Sequence, residues 1–380
     1  TRGHEVIESL LDSHIPFTSG PQWLYENILR EKYVLAVTGT HGKTTTTSML
    51  SWILEDNNYR PSFLIGGAPR NFDSSARLTT SEFFVIEGDE YDSAFFDKRP
   101  KFIHYHPKIS IINNIEFDHA DIYKDLKEII FQFHQLIRLV PNNGKIIYNG
   151  DDKNTADLID FGHWCNAESY GSHSDSEWKA DFGSRNNIEI YHKDFDHYSS
   201  DWLLKGSFNK ENALSAIIAA NTIGISPDKS LDSLKRFSGV KRRFELLGKF
   251  NGLVIYDDFA HHPTSIKKTL DDIAELYPDK NVSVSIELRS NTMRRGIHND
   301  HLMGFMKPLN HVTFLSSTEI AYQIKDHADF NEETMHVFDS PNNLASHLLS
   351  KFNSDVVHVF LSNADFMGAK EQVMSTLRKE

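Results

Sequence analysis

The residues best suited to chemistry lie in one short run, Gly39-Thr40-His41-Gly42-Lys43-Thr44-Thr45-Thr46, where a single lysine follows two glycines and precedes three threonines. The apolar stretch Val34-Leu35-Ala36-Val37 leads into it, and residues 47–54 leave it with helical spacing. Strand, glycine-framed loop and helix in that order bind phosphate. The loop's backbone N–H groups point at an anion, the helix N-terminus adds partial positive charge, and the lysine supplies a mobile full charge. The first hydroxyl after the lysine, Thr44, is placed to hold a phosphate-bound Mg²⁺. The spacing is not the common G-x-x-x-x-G-K-[ST], because Val37 stands six positions before Lys43 and the first glycine only four. A plain Gly-rich turn is the alternative, but chance rarely sets Gly-Lys-Thr between a strand and a helix.

Carboxylates and imidazoles that could complete such a site follow at further strand ends. The run Glu82-Phe83-Phe84-Val85-Ile86 opens into Glu87-Gly88-Asp89-Glu90-Tyr91-Asp92, and Ile109-Ser110-Ile111-Ile112-Asn113-Asn114 opens into Ile115-Glu116-Phe117-Asp118-His119-Ala120-Asp121. Ligands of open parallel sheets collect at the carboxyl ends of strands. Glu87 is therefore the expected partner of Thr44 on one cation, with Asp89, Glu90 and Asp92 read as a solvated acidic turn. His119 is the candidate for a second cation, against the usual structural role of a single histidine. Asn209 and Asn212 share one face of a helix start; Asn209 reads as a cap, while Asn212, inside the helix, calls for a partner.

These groups need an α/β framework. From Tyr33 onward strands and helices alternate, which predicts a parallel sheet covered by helices. A helix is expected over 126–140, strands over 146–148 and 188–191, and a surface loop over 172–177. Phe237-Ser238-Gly239-Val240-Lys241-Arg242-Arg243-Phe244-Glu245 reads as a hinge, after which the alternation restarts: a strand over 253–256, the loop Asp257-Asp258-Phe259-Ala260-His261-His262-Pro263, and a helix over 264–276. Further strands fall over 282–286, 311–315 and 356–362. The organisation expected is 1–31 as the end of another domain, with a helix and then a short strand over 15–20, followed by 32–240 and 241–380.

The chain has 380 residues, more than one ordinary core of ~100–200 residues accommodates. Its formal net charge of −13 speaks against a nucleic-acid surface, which needs clustered cations. No apolar run approaches the ~20 residues of a membrane span, and no signal-peptide pattern opens the chain. The lone Cys165 forms no internal disulfide, so a reducing, cytoplasmic setting is expected.

Taken together, Gly39 to Thr46, Glu87, Asp118-His119, Asn209-x-x-Asn212, Arg242-Arg243-Phe244 and Asp257 to Thr264 resemble the Mur ligases, ATP-dependent amide-forming enzymes of peptidoglycan assembly. The resemblance implies a central P-loop-type ATPase domain, a Rossmann-like C-terminal α/β domain and, in 1–31, a remnant of a sugar-nucleotide domain. It also implies ATP and Mg²⁺, held by Gly39 to Thr45, Asn209, Asn212, Arg243 and Asp258, with Thr44, Glu87 and His119 on metal and Lys43, Glu87, His119 and Arg243 in catalysis. Within the family, residues 87–99, 287–293 and 18–24 are similar to the branch that joins UDP-N-acetylmuramate to the recycled murein tripeptide L-alanyl-γ-D-glutamyl-meso-diaminopimelate. The branch that adds L-alanine to the same sugar nucleotide, and an ATP-binding remnant without ligase activity, are the alternatives. Several family members carry a modified lysine in the helix after the Asp-His pair; residues 128–137 contain none. Arg289, Arg294 and Arg295 either read peptide carboxylates or form an exposed basic turn.

Overall fold

The computed structural model describes residues 2–172, 175–181, 186–193, 196–202 and 204–379. The chain divides into two compact units, Thr1–Leu203 with Asn209–Val240, and Leu204–Phe208 with Lys241–Glu380. Of the loop expected over 172–177, residues 173 and 174 lie outside the described residues.

Among the described residues the first unit has ten strands: β1 (Tyr33–Thr38), β2 (Ser62–Leu64), β3 (Ala76–Arg77), β4 (Phe83–Glu87), β5 (Ile109–Ile112), β6 (Lys145–Asn149), β7 (Asn166–Gly171), β8 (Trp178–Asp181), β9 (Asn187–His192) and β10 (His197–Asp201). They form one sheet in the order β10-β9-β8-β7-β6-β5-β1-β4-β2-β3. From β2 across to β8 neighbouring strands run parallel, and β3, β9 and β10 add antiparallel edges. The central strands are buried on both faces, which is why β1, β4 and β5 read as nearly continuous apolar runs instead of alternating. Leu126–Ile137 buries Ile129, Phe133, Leu136 and Ile137 against Val34, Ile112 and Ile146. Asp125 caps it, accepting from the Glu128 N–H at 3.0 Å. The strand expected over 15–20 does not form. Ser19 instead caps a second helix, Gly20–Asn27, by accepting from the Gln22 N–H at 3.2 Å.

The second unit carries β11 (Glu245–Phe250), β12 (Leu253–Asp258), β13 (Asn281–Glu287), β14 (His311–Leu315), β15 (Met335–Phe338) and β16 (Val356–Leu361), ordered β11-β12-β16-β13-β14-β15. All pairings are parallel except β11 with β12. Its two faces bury separate apolar clusters, one including Tyr256, Ile266, Val284, Phe314 and Val359, the other Ile255, Leu344, Leu348, Phe360 and Val373. No described helix is long and apolar enough to cross a membrane.

Candidate active site

The glycine loop leaves the carboxyl end of β1, in the middle of the first sheet, and turns into the helix Lys43–Asp56. Two glycines make the turn possible. Gly39 has φ 121°, and a Cβ there would stand 2.9 Å from the Asn114 carbonyl; Gly42 has φ 81°, and a Cβ there would stand 2.3 Å from Asn212 Oδ1. Gly42 is the N-cap residue, and no side chain caps the helix. The loop's own amides are not all directed at a ligand. The Thr40 N–H donates to the Asn114 carbonyl at 3.0 Å, and the His41 N–H donates to Asn114 Oδ1 at 2.8 Å. Asn114 thus shapes the loop, and the anion-binding potential concentrates at the helix start.

Lys43 folds over this loop. Its ammonium donates to the Gly39 carbonyl at 2.7 Å and to both oxygens of Glu90, at 2.8 and 3.1 Å. Burial disfavours the charged ammonium, but the charges of Glu90, Asp89 and Glu87 outweigh it and hold Lys43 above the ordinary lysine value. Glu90 is only 2 % exposed, so the solvated turn expected from sequence is corrected here: this carboxylate is buried because it has cationic partners. Its second partner is His119, whose Nε2 lies 3.1 Å from Glu90 Oε1. Burial pulls the His119 ring downward; the hydrogen bond and charge of Glu90, then Asp118, more than compensate, and its pKa is raised. The Tyr123 hydroxyl donates to the Glu90 carbonyl at 2.5 Å and fixes the turn. Asp89 is pushed upward by burial but held below the ordinary carboxylate value by Lys43 and Lys101.

Glu87 ends β4 beside β1, pairing in register with Val37. Thr44 Oγ1 donates to its Oε1 at 2.9 Å, and the Gly66 N–H donates to its Oε2 at 2.7 Å. Thr44 and Glu87 are thus brought into direct contact, and both offer oxygen, the donor that Mg²⁺ takes. Asp89, Glu90 and His119 form a second donor set whose ligand atoms lie within 4.8 Å of one another. For His119 to ligate a cation there, its Nε2 must give up both Glu90 and a proton.

Behind the loop runs a buried polar network. Thr46 Oγ1 donates to Asn212 Oδ1 at 3.1 Å and accepts from Asn113 Nδ2 at 3.2 Å. Asn113 Oδ1 accepts from the Tyr170 hydroxyl at 3.2 Å. Asn212 thus has the partner its place in a helix called for. Asn209 is not a cap: the helix Phe208–Thr222 already includes it, and it is buried. Asn113 and Asn114 end an apolar run by the same rule that points to Glu87, so their place at the loop has a signal in the sequence.

In the second unit the strand-end acids turn inward. Asp258 accepts from the Phe244 N–H at 2.5 Å and the Ala260 N–H at 2.7 Å, and burial, only partly offset by Arg243 and these amides, pushes its carboxyl up to about 6. Asp257 accepts from Lys370 Nζ at 2.6 Å. The Arg243 guanidinium stacks over Phe259, 4.5 Å from the ring centroid. Arg289 is exposed and 3.5 Å from Glu287, whose other oxygen accepts from Ser362 Oγ at 2.6 Å and the Phe366 N–H at 2.8 Å.

Comparison with known proteins follows the same division. Residues 37–220 match the Mur ligase middle domain, and residues 242–363 match the Mur ligase glutamate ligase domain. The chain is 40% identical over 381 residues to an Escherichia coli protein named UDP-N-acetylmuramate–L-alanyl-γ-D-glutamyl-meso-2,6-diaminoheptandioate ligase, covering 100% of this chain and 83% of the relative. A Haemophilus influenzae protein of the same name is 37% identical over 380 residues, covering 99% of this chain and 83% of the relative. The crystal structure of a murein peptide ligase from Psychrobacter arcticus superposes with a TM-score of 0.76 at 35% identity, over 99% of this chain and 84% of that one.

Proposed function

The chain belongs to the Mur ligase family and is an ATP-dependent ligase forming a carbon–nitrogen bond, and from that premise we propose how its residues carry out the reaction. It joins UDP-N-acetylmuramate to L-alanyl-γ-D-glutamyl-meso-diaminopimelate; the observation that carries this reading is 40% identity along the whole chain to a ligase of that name. In cells it would work in the cytoplasm, recycling murein peptide. We assign residues 32–240 to nucleotide binding, 241–380 to the C-terminal ligase domain, and 1–31 to the end of a sugar-nucleotide domain.

The nucleotide supplies a phosphoryl group that turns the muramoyl carboxylate into an acyl phosphate, giving the peptide amine a carbonyl with a good leaving group. Catalysis then rests on positioning and on neutralising charge. Lys43 and the first-turn amides of its helix bind the β- and γ-phosphates, the lysine exchanging Glu90 for phosphate oxygens. Thr44 and Glu87 hold Mg²⁺, and His119 with the Glu90 turn holds a second ion. Asn209 and Asn212 line the nucleotide, Asp258 contacts its ribose, and Arg243 meets the γ-phosphate. Arg289, Arg294 and Arg295 are candidates for the peptide carboxylates.

Phosphate release by the full-length polypeptide, with ATP, Mg²⁺ and UDP-N-acetylmuramate, tests the substrate. Release should depend on the tripeptide; faster release with L-alanine would move the chain to the neighbouring branch of the family.

A further inference from the structure

The second sheet gathers three imidazoles at the amino end of its strands, away from the carboxyl ends that carry Asp257, Asp258 and Glu287. His311 opens β14, His336 lies in β15, and His347 lies on the helix Pro341–Lys351. Their ligand nitrogens all lie within 4.8 Å of one another, and the Nε2 atoms of His311 and His347 are 3.0 Å apart. All three side chains keep partial access to solvent.

A chain of hydrogen bonds decides which nitrogen of His311 holds the lone pair. It starts at the Val284 carbonyl, which can only accept, and the Thr313 hydroxyl donates to it at 3.4 Å. Thr313 Oγ1 therefore accepts from the Ser285 hydroxyl at 2.6 Å, and Ser285 Oγ accepts from His358 Nε2–H at 3.1 Å. His358 is fully buried, which keeps its ring neutral, so its Nδ1 accepts from the Ser283 hydroxyl at 2.9 Å. Ser283 Oγ in turn accepts from His311 Nδ1–H at 2.8 Å. The lone pair of His311 is left on Nε2, directed into the cluster. A histidine whose second nitrogen donates to a fixed acceptor is the arrangement that orients metal-ligating imidazoles.

We propose that His311, His336 and His347 form a binding site for a divalent first-row transition ion such as Zn²⁺, with water completing the coordination. Three imidazole nitrogens suit that class and not Mg²⁺ or Ca²⁺, which require oxygen. Two nitrogens on a tetrahedral zinc stand roughly 3.3 Å apart, close to the His311–His347 separation. His336 reaches the ion by side-chain rotation. The ion takes the place of the proton between His311 and His347 and ties β14, edge strand β15 and the helix Pro341–Lys351 together.

The test is titration of the tag-free, chelator-treated full-length chain with Co²⁺ in excess Mg²⁺, read by visible absorption, followed by displacement with Zn²⁺. The wild type should bind one transition ion at this site, Ser283→Ala should bind about 10- to 100-fold more weakly, and His336→Ala and His347→Ala more weakly still. The metal-free variants should melt near the wild type, and Zn²⁺ should raise the melting temperature of the wild type only. Absence of stoichiometric binding in the wild type, or unchanged affinity in a His336→Ala/His347→Ala double variant, would overturn the site.

Discussion

In the first unit β1 runs into Gly39–Gly42 and then a helix that no side chain caps; in the second, β12 ends in Asp257 and Asp258 and leads to a helix with Pro263 at its first position. There His262 Nδ1 accepts from the Thr264 N–H at 3.4 Å, so the helix start is occupied by its own chain. The difference extends to the charges. Lys43 and Glu90 hold each other beside an open helix start, whereas the two oxygens of Asp258 accept from the backbone N–H groups of Phe244, ahead of β11, and of Ala260 in the following loop. The same strand–loop–helix connection thus leaves its helix start without a side-chain cap in the first unit and closes it with His262 in the second.

The sharpest test of that contrast is Lys43→Ala, which should lower turnover by about 10³-fold or more, as expected for loss of a phosphate-stabilising cation. The same change leaves the buried Glu90 carboxylate with His119 but without its lysine, costing up to about 3–5 kcal/mol in denaturant melts. Adding Glu90→Gln should recover much of that stability but none of the turnover. Recovered turnover in the double variant would show the lysine to be only a structural partner of Glu90.

Arg243→Ala probes the second unit. If Arg243 acts on the γ-phosphate, its loss should reduce kcat by about 10²-fold or more while nucleotide affinity changes little. An unchanged kcat would leave Arg243 as packing on Phe259.

Asp258 gives a pH signature. Burial raises its pKa from 3.8 to about 6 in the folded chain, so its stabilising contribution is full below the unfolded value and is lost as pH rises through about 6. The stability of the wild type relative to Asp258→Asn should therefore fall between pH 4 and 7, by up to about 3 kcal/mol. A difference constant across that range would contradict the buried, backbone-bound carboxylate.

Smallest is Thr46→Val, which removes the hydroxyl shared by Asn113 and Asn212 and should cost about 1–3 kcal/mol with both amides left short of a partner. No loss of stability would mean that this network does not hold the phosphate loop.

Much of the frame was readable because buried parallel strands leave continuous apolar runs. Val34 to Val37, Phe83 to Ile86 and Ile109 to Ile112 announced β1, β4 and β5, and the residues after them announced the loop and Glu87. The edges were less readable. Residues 15–20 alternate like a strand, but Ser19 and Pro21 start a helix there by local capping. Glu90 looked like any acid in a turn, since the partners that permit its burial are 47 and 29 residues away in the chain.

Local chemistry written in the chain was enough to determine the alternating α/β plan, the phosphate loop with Lys43 and Thr44, and the likeness to the Mur ligases. Tertiary structure alone decided which polar groups face one another: Glu90 between Lys43 and His119, Asn113 between Thr46 and Tyr170, and three histidines from separate elements around one point. Such pairings are set by sheet order and register, which bring together residues far apart in sequence. A polar residue's own type says that it needs a partner without saying which.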